Sequence, residues 1–253
     1  FMDGRPTESY QLLDVRQPKE YEAGHIPGAI LIPVKELPQR LEELDREKPV
    51  IVYCAVGGRS RAAAQLLSGQ GFGEVYNLSG GIKAWEGKVA KGAEELGLEL
   101  LVGVRDYRDA VALAYAMEDG LEQMYLKLAD EVPPGERKTL FLRLAGFEER
   151  HKERLAKQFA EQTGVAAMPV LDREIAEGGR KIDELVSRAR AFADSREEIL
   201  EFAMGLEVQA LDLYLRMAAK SGEEANRGLF LSLAEEEKVH LGYLEREMEQ
   251  REG

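Results

Sequence analysis

The sequence predicts two units in series, a small α/β domain with a parallel sheet and then an all-helical domain built as a four-helix bundle. Three observations carry that expectation. The first 90 residues alternate short β-type runs with turns and helical stretches. From Arg105 onward, apolar residues recur at three- and four-residue spacing along long amphipathic segments. That second half also repeats itself at a fixed offset of 89 residues. The expected domains are therefore residues 1–90 and 105–253, joined by a mixed linker over 91–104.

Within the first domain the β-type runs are 11–15 (QLLDV), 29–32 (AILI), 50–53 (VIVY) and 75–78 (VYNL). Helical stretches are expected over 35–44 and 60–70, the second closed by Gly71. In the second domain, 140–145 reads LFLRLA and 229–234 reads LFLSLA. The same offset carries Glu118 to Glu207, Tyr125 to Tyr214, Glu148 to Glu237 and His151 to His240. Each copy is one helix with a Glu and a Tyr seven residues on, then a second helix with Glu-x-x-His. Residues 161–195 supply the long connection between the hairpins, with a crossing helix near 180–192.

Composition narrows the classes. A chain of 253 residues gives each of two domains a workable core. The longest apolar stretch, 26–34, is interrupted by Pro27 and Pro33 and falls short of the roughly 20 residues a membrane helix needs. No basic region or apolar signal segment opens the sequence, so a cytoplasmic protein is expected. One Cys excludes an internal disulfide or a metal centre of four cysteines. Residues 1–90 hold 11 Lys and Arg against 12 Asp and Glu, so nearly all of the net charge of −13 lies in the remainder. Such acidity argues against nucleic acid or an anionic membrane as partner, and suits a carboxylate-rich metal protein or simply a solvated acidic helix surface.

Residues three apart on a helix share a face, so Glu148 with His151, and Glu237 with His240, can each grip one ion. Spacing alone is weak, since Glu22 also precedes His25 by three in a Gly-Pro loop. Glu118 and Glu207 sit among apolar neighbours, where a carboxylate is costly unless paired or metal-bound. Four carboxylates and two imidazoles can neutralise two divalent cations. Tyr125 and Tyr214 read as core aromatics or as groups beside the ligands.

The arrangement over about 105–250 resembles the ferritin-like superfamily, and most closely the rubrerythrins. The resemblance implies two iron ions held by Glu118, Glu148, His151, Glu207, Glu237 and His240. It departs from some rubrerythrins at Ala210, where they carry a further Glu, and the rubredoxin module of full rubrerythrins cannot exist with one Cys. An external electron donor is implied, and a homodimer is the expected assembly.

In the first domain, Cys54 follows an apolar run and opens Cys54-Ala55-Val56-Gly57-Gly58-Arg59-Ser60 ahead of a helix. A Gly-rich loop can turn its N–H groups inward and, with the helix dipole, cradle an anion. A thiolate there becomes a nucleophile, with Arg59 pairing the anion or bracing the loop. Leu12-Leu13-Asp14-Val15-Arg16, Glu20-Tyr21, Gly24-His25-Ile26-Pro27-Gly28-Ala29 and Leu78-Ser79-Gly80-Gly81 with Trp85 together resemble the rhodanese domain. The resemblance implies that Cys54 carries sulfane sulfur as a persulfide, from thiosulfate or another small donor to a thiol or cyanide. The Cys-x4-Arg spacing is one residue shorter than the Cys-x5-Arg loop of related phosphatases and favours sulfur over phosphate. Asp14 with Arg16 is expected to support the loop, and His25 to be structural.

Three functions follow as expectations. The chain is a sulfurtransferase fused to a di-iron redox domain, a di-iron oxidase or peroxidase of oxidative-stress defence with an accessory sulfur domain, or a non-enzymatic iron-binding protein.

Overall fold

The protein is seen as a computed structural model that describes residues 2, 5–168, 175–192 and 194–249. It divides into two compact units, Phe1–Glu95 and Leu96–Gly253.

In the first unit, β1 (Gln11–Asp14), β2 (Ile30–Leu31), β3 (Val50–Tyr53) and β4 (Val75–Asn77) form a parallel sheet in the order β2-β1-β3-β4. Gln11 to Asp14 pair in register with Val50 to Tyr53. All four residues of β3 are buried, as a central strand covered on both faces requires. Alternation sends Val50, Val52 and Cys54 into one apolar cluster with Ala63, Leu67 and Phe72. Ile51 and Tyr53 enter the opposite cluster with Leu12, Tyr21 and Ile26.

Helix α1 (Pro18–Ala23) was not expected, although Gln17 caps it, Pro18 opens it and Glu20 closes a reciprocal capping box. Helix α2 spans Gly58–Gly69, beginning two residues earlier than expected because Gly57, in the left-handed region at φ 101°, turns the chain there. The helix expected over 35–44 is instead two 3₁₀ turns, Leu37–Gln39 and Leu41–Glu43. Pro38 explains the correction, because it lacks an N–H and disfavours helical backbone in the residue before it. The strand expected over 29–32 keeps only its central pair, ahead of Pro33.

The second unit is helical. Its long helices are α3 (Tyr107–Glu131), α4 (Glu136–Thr163), α6 (Arg196–Lys220) and α7 (Glu224–Glu249). α3 packs on α4 and α6 on α7, while α3 also meets α7 and α4 meets α6. The repeat is structural: α3 and α6 start 89 residues apart and end 89 residues apart. Asp106 and Ser195 stand at the same offset, and each caps its helix by accepting from the backbone N–H three residues on.

The connection carries the expected crossing helix, α5 (Ile182–Phe192), and an unexpected antiparallel ribbon of β5 (Ile175–Ala176) and β6 (Arg180–Lys181). Residues 169–174 and 193 of this connection lie outside the described residues. Part of the expected linker folds into the second unit as a 3₁₀ turn, Leu98–Leu101, against α6. Among the described residues, no helix is long and apolar enough to cross a membrane.

The ribbon meets α3 at Gly120, where an added Cβ would collide with the Ile175 carbonyl. Gly120→Ala is therefore expected to destabilise the helical unit by about 1–3 kcal/mol, as overpacking does. Denaturant unfolding followed by helical circular dichroism checks this, with an unchanged midpoint contradicting it.

Candidate functional sites

Cys54 directly follows β3, at the carboxyl edge of the parallel sheet where such folds place their sites. Its side chain is buried at the floor of the loop. The Gly57 N–H donates to Sγ at 3.1 Å, and the Ser60 hydroxyl donates to it at 3.4 Å. Burial alone pushes the thiol up. The Ser60 hydroxyl and the backbone N–H groups of Ser60, Val56 and Gly57 outweigh it, bringing Cys54 down to about 7.

The loop is held from several sides. Ile82 N–H donates to the Cys54 carbonyl at 2.8 Å, and Lys83 N–H to that of Ala55 at 3.2 Å. This close approach needs Gly81, at φ 63°, since a Cβ would strike the backbone of Cys54 and Ala55. Arg59 forks onto Glu20 of α1 with two hydrogen bonds of 2.7 Å. That pairing holds Glu20 down to about 2 and raises the guanidinium further, with Cys54 also acting on it. Arg59 thus braces the loop while staying within the field of the thiolate. Ala55 is half-buried, Gly58 is exposed, and Val56 presents 62% of its surface.

Behind the loop, Arg16 forks onto the buried Asp14 carboxylate and donates to the Gly24 carbonyl at 2.7 Å. Tyr53, the residue before Cys54, receives the Ile26 N–H at 3.2 Å. Its phenol is pushed up by burial and by the Asp14 charge. His25 donates from Nδ1 to the Tyr21 carbonyl at 3.0 Å and stacks on the Tyr21 ring at 3.6 Å. These residues organise the framework behind Cys54. Glu20 and Tyr53 were not singled out from sequence as partners of the loop. The capping-box spacing of Glu20 was legible, but its reach across to Arg59 is tertiary.

All six expected metal-ligating residues converge in the second unit. Glu118, Glu148 and His151 form one group, and Glu207, Glu237 and His240 another, each with its ligand atoms within 4.8 Å of one another. His151 Nδ1 lies 3.0 Å from Glu118 and 3.6 Å from Glu148. His240 Nδ1 lies 3.2 Å from Glu207 and 3.6 Å from Glu237. The two imidazoles stack on each other with centroids 4.4 Å apart and planes 7° apart.

The Tyr214 hydroxyl donates to Glu118 at 3.2 Å, which places this tyrosine beside the first group rather than only in the core. Burial pushes Glu207 up, but hydrogen bonds with Glu237 and His240, and the fields of His240 and His151, bring it below the usual carboxylate range. Four largely buried carboxylates facing two imidazoles fit divalent first-row cations, which take mixed oxygen and nitrogen ligands. Such a set also offsets the cost of burying the carboxylates once cations are bound.

The first unit is thus an α/β domain presenting an activated cysteine in an N–H cradle. The family model of the rhodanese-like domain matches residues 2–88. A protein described as a sulfurtransferase from Allochromatium vinosum is 43% identical over 79 residues, 31% of this chain and 74% of that protein. The uncharacterized protein YqhL of Bacillus subtilis is 52% identical over 79 residues, and the match spans 31% of this chain and 63% of that relative. A solved rhodanese-like domain protein from Staphylococcus aureus is 31% identical, with 36% of this chain and 87% of that chain covered, at a TM-score of 0.32. Through its first unit, the chain belongs to the rhodanese-like family.

Thiolate reactivity follows from the cradle. Alkylation of Cys54 by iodoacetamide is expected to rise with pH and reach half its limit near pH 7, since the thiolate is the reacting form and its pKa lies at about 7. Ser60→Ala removes a donor to the thiolate and moves that midpoint upward. A midpoint unmoved by Ser60→Ala would contradict the assignment.

Proposed function

We propose that the chain is a sulfurtransferase that carries sulfane sulfur on Cys54. The observation that supports it most is the thiol itself, held near neutral pKa by the N–H groups and hydroxyl of its own loop. In this reading the Cys54 thiolate attacks the outer sulfur of a small sulfane donor. The donor's bond to that sulfur breaks, and the leaving sulfite or thiolate departs with the electron pair. The new terminal sulfur sits over the Gly57 and Ser60 donors, which offset its negative charge. A thiol or cyanide then attacks that sulfur and returns Cys54 as thiolate. Kinship with a relative described as a sulfurtransferase is consistent with this chemistry.

Incubating the full chain with thiosulfate, and separately with an alkyl persulfide, tests the reading. Mass spectrometry should find one added sulfur on Cys54, and cyanide should release it as thiocyanate. Cys54→Ala should lose both signals, while chelators leave them intact. A wild-type protein that takes up sulfur from neither donor would overturn the proposal.

A second reading is favoured by the paired carboxylate and imidazole groups. The helical unit is a centre for two divalent metal ions, iron in the reading drawn from the rubrerythrin resemblance. Glu118, Glu148 and His151 would hold one ion, and Glu207, Glu237 and His240 the other. Bound iron would supply one-electron redox chemistry, fed by an external donor and directed at oxygen or peroxide. The chain's own part is to surround the ions with buried side chains that limit access of water. Tyr214 fixes the orientation of Glu118.

Anaerobic incubation with ferrous iron followed by desalting should leave two ions per chain. Glu148→Ala and Glu237→Ala should each lose at least one of them. Absence of bound metal after this treatment would remove the reading.

A further inference from the structure

The guanidinium beside the sulfur site is already committed. Arg59 forks onto Glu20 with two hydrogen bonds of 2.7 Å, and the same guanidinium lies within the field of Cys54. One positive charge thus faces two negative ones, and the trio keeps one uncompensated negative charge when the thiol is ionised. The capping box puts Glu20 in this place, since its Oε2 also accepts from the Gln17 N–H at 3.2 Å at the start of α1.

The surroundings add little to offset that charge. Arg16, which also acts on Glu20, is itself forked onto the buried Asp14. Arg61, in the first turn of α2, and Lys83, whose N–H holds the Ala55 carbonyl, are exposed, where water and salt screen them. At the rim of the loop, Ala55 is half-buried and Val56 presents 62% of its surface, so the tip is apolar.

Donors differ in the charge they bring to this loop. Thiosulfate is a dianion, and its attack by the thiolate gathers a third negative charge there before sulfite leaves with two of them. An alkyl persulfide brings at most one. Its inner sulfur leaves as a thiolate with the electron pair of the broken bond, and its outer sulfur stays on Cys54. Like charges brought together select against the donor that carries more of them.

We propose that Glu20 is a positioning residue that sets donor choice at Cys54: by neutralising Arg59 it disfavours dianions such as thiosulfate and leaves alkyl persulfides, whose carbon chain can lie against Val56, as the substrate class. This rests on the sulfurtransferase reading above. The effect is moderate in size, because the Arg59 and Glu20 side chains are 35% and 37% exposed and solvent weakens their fields.

Rate constants for sulfur loading of the full chain are measured by mass spectrometry with thiosulfate and with a short alkyl persulfide, each from low to high potassium chloride. In the wild type, loading from thiosulfate should quicken with salt, because screening relieves repulsion, and loading from the persulfide should respond less. Glu20→Gln keeps a capping residue at the start of α1 and an oxygen for Arg59, but removes the charge. It should raise the thiosulfate rate relative to the persulfide rate about threefold or more, and flatten the salt dependence. Val56→Lys, which leaves the Glu20 and Arg59 pair in place, should move the ratio in the same direction. Circular dichroism reports whether each variant is folded.

A wild-type thiosulfate rate that stays level or falls with salt would overturn the role of Glu20 while leaving sulfur transfer standing. So would a donor ratio unmoved in folded Glu20→Gln, or in Val56→Lys where Glu20→Gln does not fold. Loading from neither donor would overturn the sulfurtransferase reading as well.

Discussion

Charge taken out of water has to be met by something, and both functional clusters of this chain are organised around that requirement. In the first unit the charge is a thiolate, and it is met by N–H dipoles and a hydroxyl, with Arg59 within its field. That solution needs backbone aimed inward, so it fixes the left-handed Gly57 and the absence of a Cβ at Gly81. It also needs the framework beneath the loop to be rigid. The buried Asp14 and Arg16 pair supplies this through Gly24 and the environment of Tyr53. In the second unit the charges are four carboxylates, which two imidazoles and a tyrosine hydroxyl help to meet. Each unit's fold can be read as the scaffold that makes its charge tolerable.

The duplication in the second unit adds a constraint of its own. Two hairpins related by a local twofold bring equivalent side chains to a common axis, so His151 and His240 stack on each other. The six grouped residues are preserved between the copies, whereas residues beside them differ. At the same offset, the ion pair of Arg154 with Glu236 gives way to the ring pair of Tyr243 with Phe147, which changes charge while preserving a side-chain contact between α4 and α7.

Much of this was legible in the sequence, unevenly and for physical reasons. The convergence of Glu118, Glu148, His151, Glu207, Glu237 and His240 was readable because helical periodicity and an internal repeat are both one-dimensional patterns. Cys54 was readable because strand, glycine loop and helix follow one another directly. The helix expected over 35–44 gives way to two 3₁₀ turns because the backbone restriction of Pro38 prevails. Helix α1 was missed although Gln17, Pro18 and Glu20 carried its capping signal, since six residues are too few to show periodicity. The ribbon of β5 and β6 has two-residue strands, below any sequence signal, and its place is set by the small surface of Gly120. The partners of Arg59 and Arg154 are 39 and 82 residues away in sequence, and only the tertiary fold selects them.

The two clusters also offer different ligand chemistry. A thiolate is a soft ligand, and carboxylates and imidazoles are hard to borderline ones. The chain has a single cysteine, and the carboxylate groups contain no sulfur ligand. A cation suited to the buried oxygen and nitrogen set gains little from one isolated thiolate already occupied by hydrogen-bond donors. A sulfane sulfur, conversely, needs a polarisable nucleophile, which no carboxylate or imidazole of the second unit provides as well. On the readings proposed above, each centre would select its class of ligand by donor type before any question of shape arises, so metal and sulfur would not compete for the same side chains.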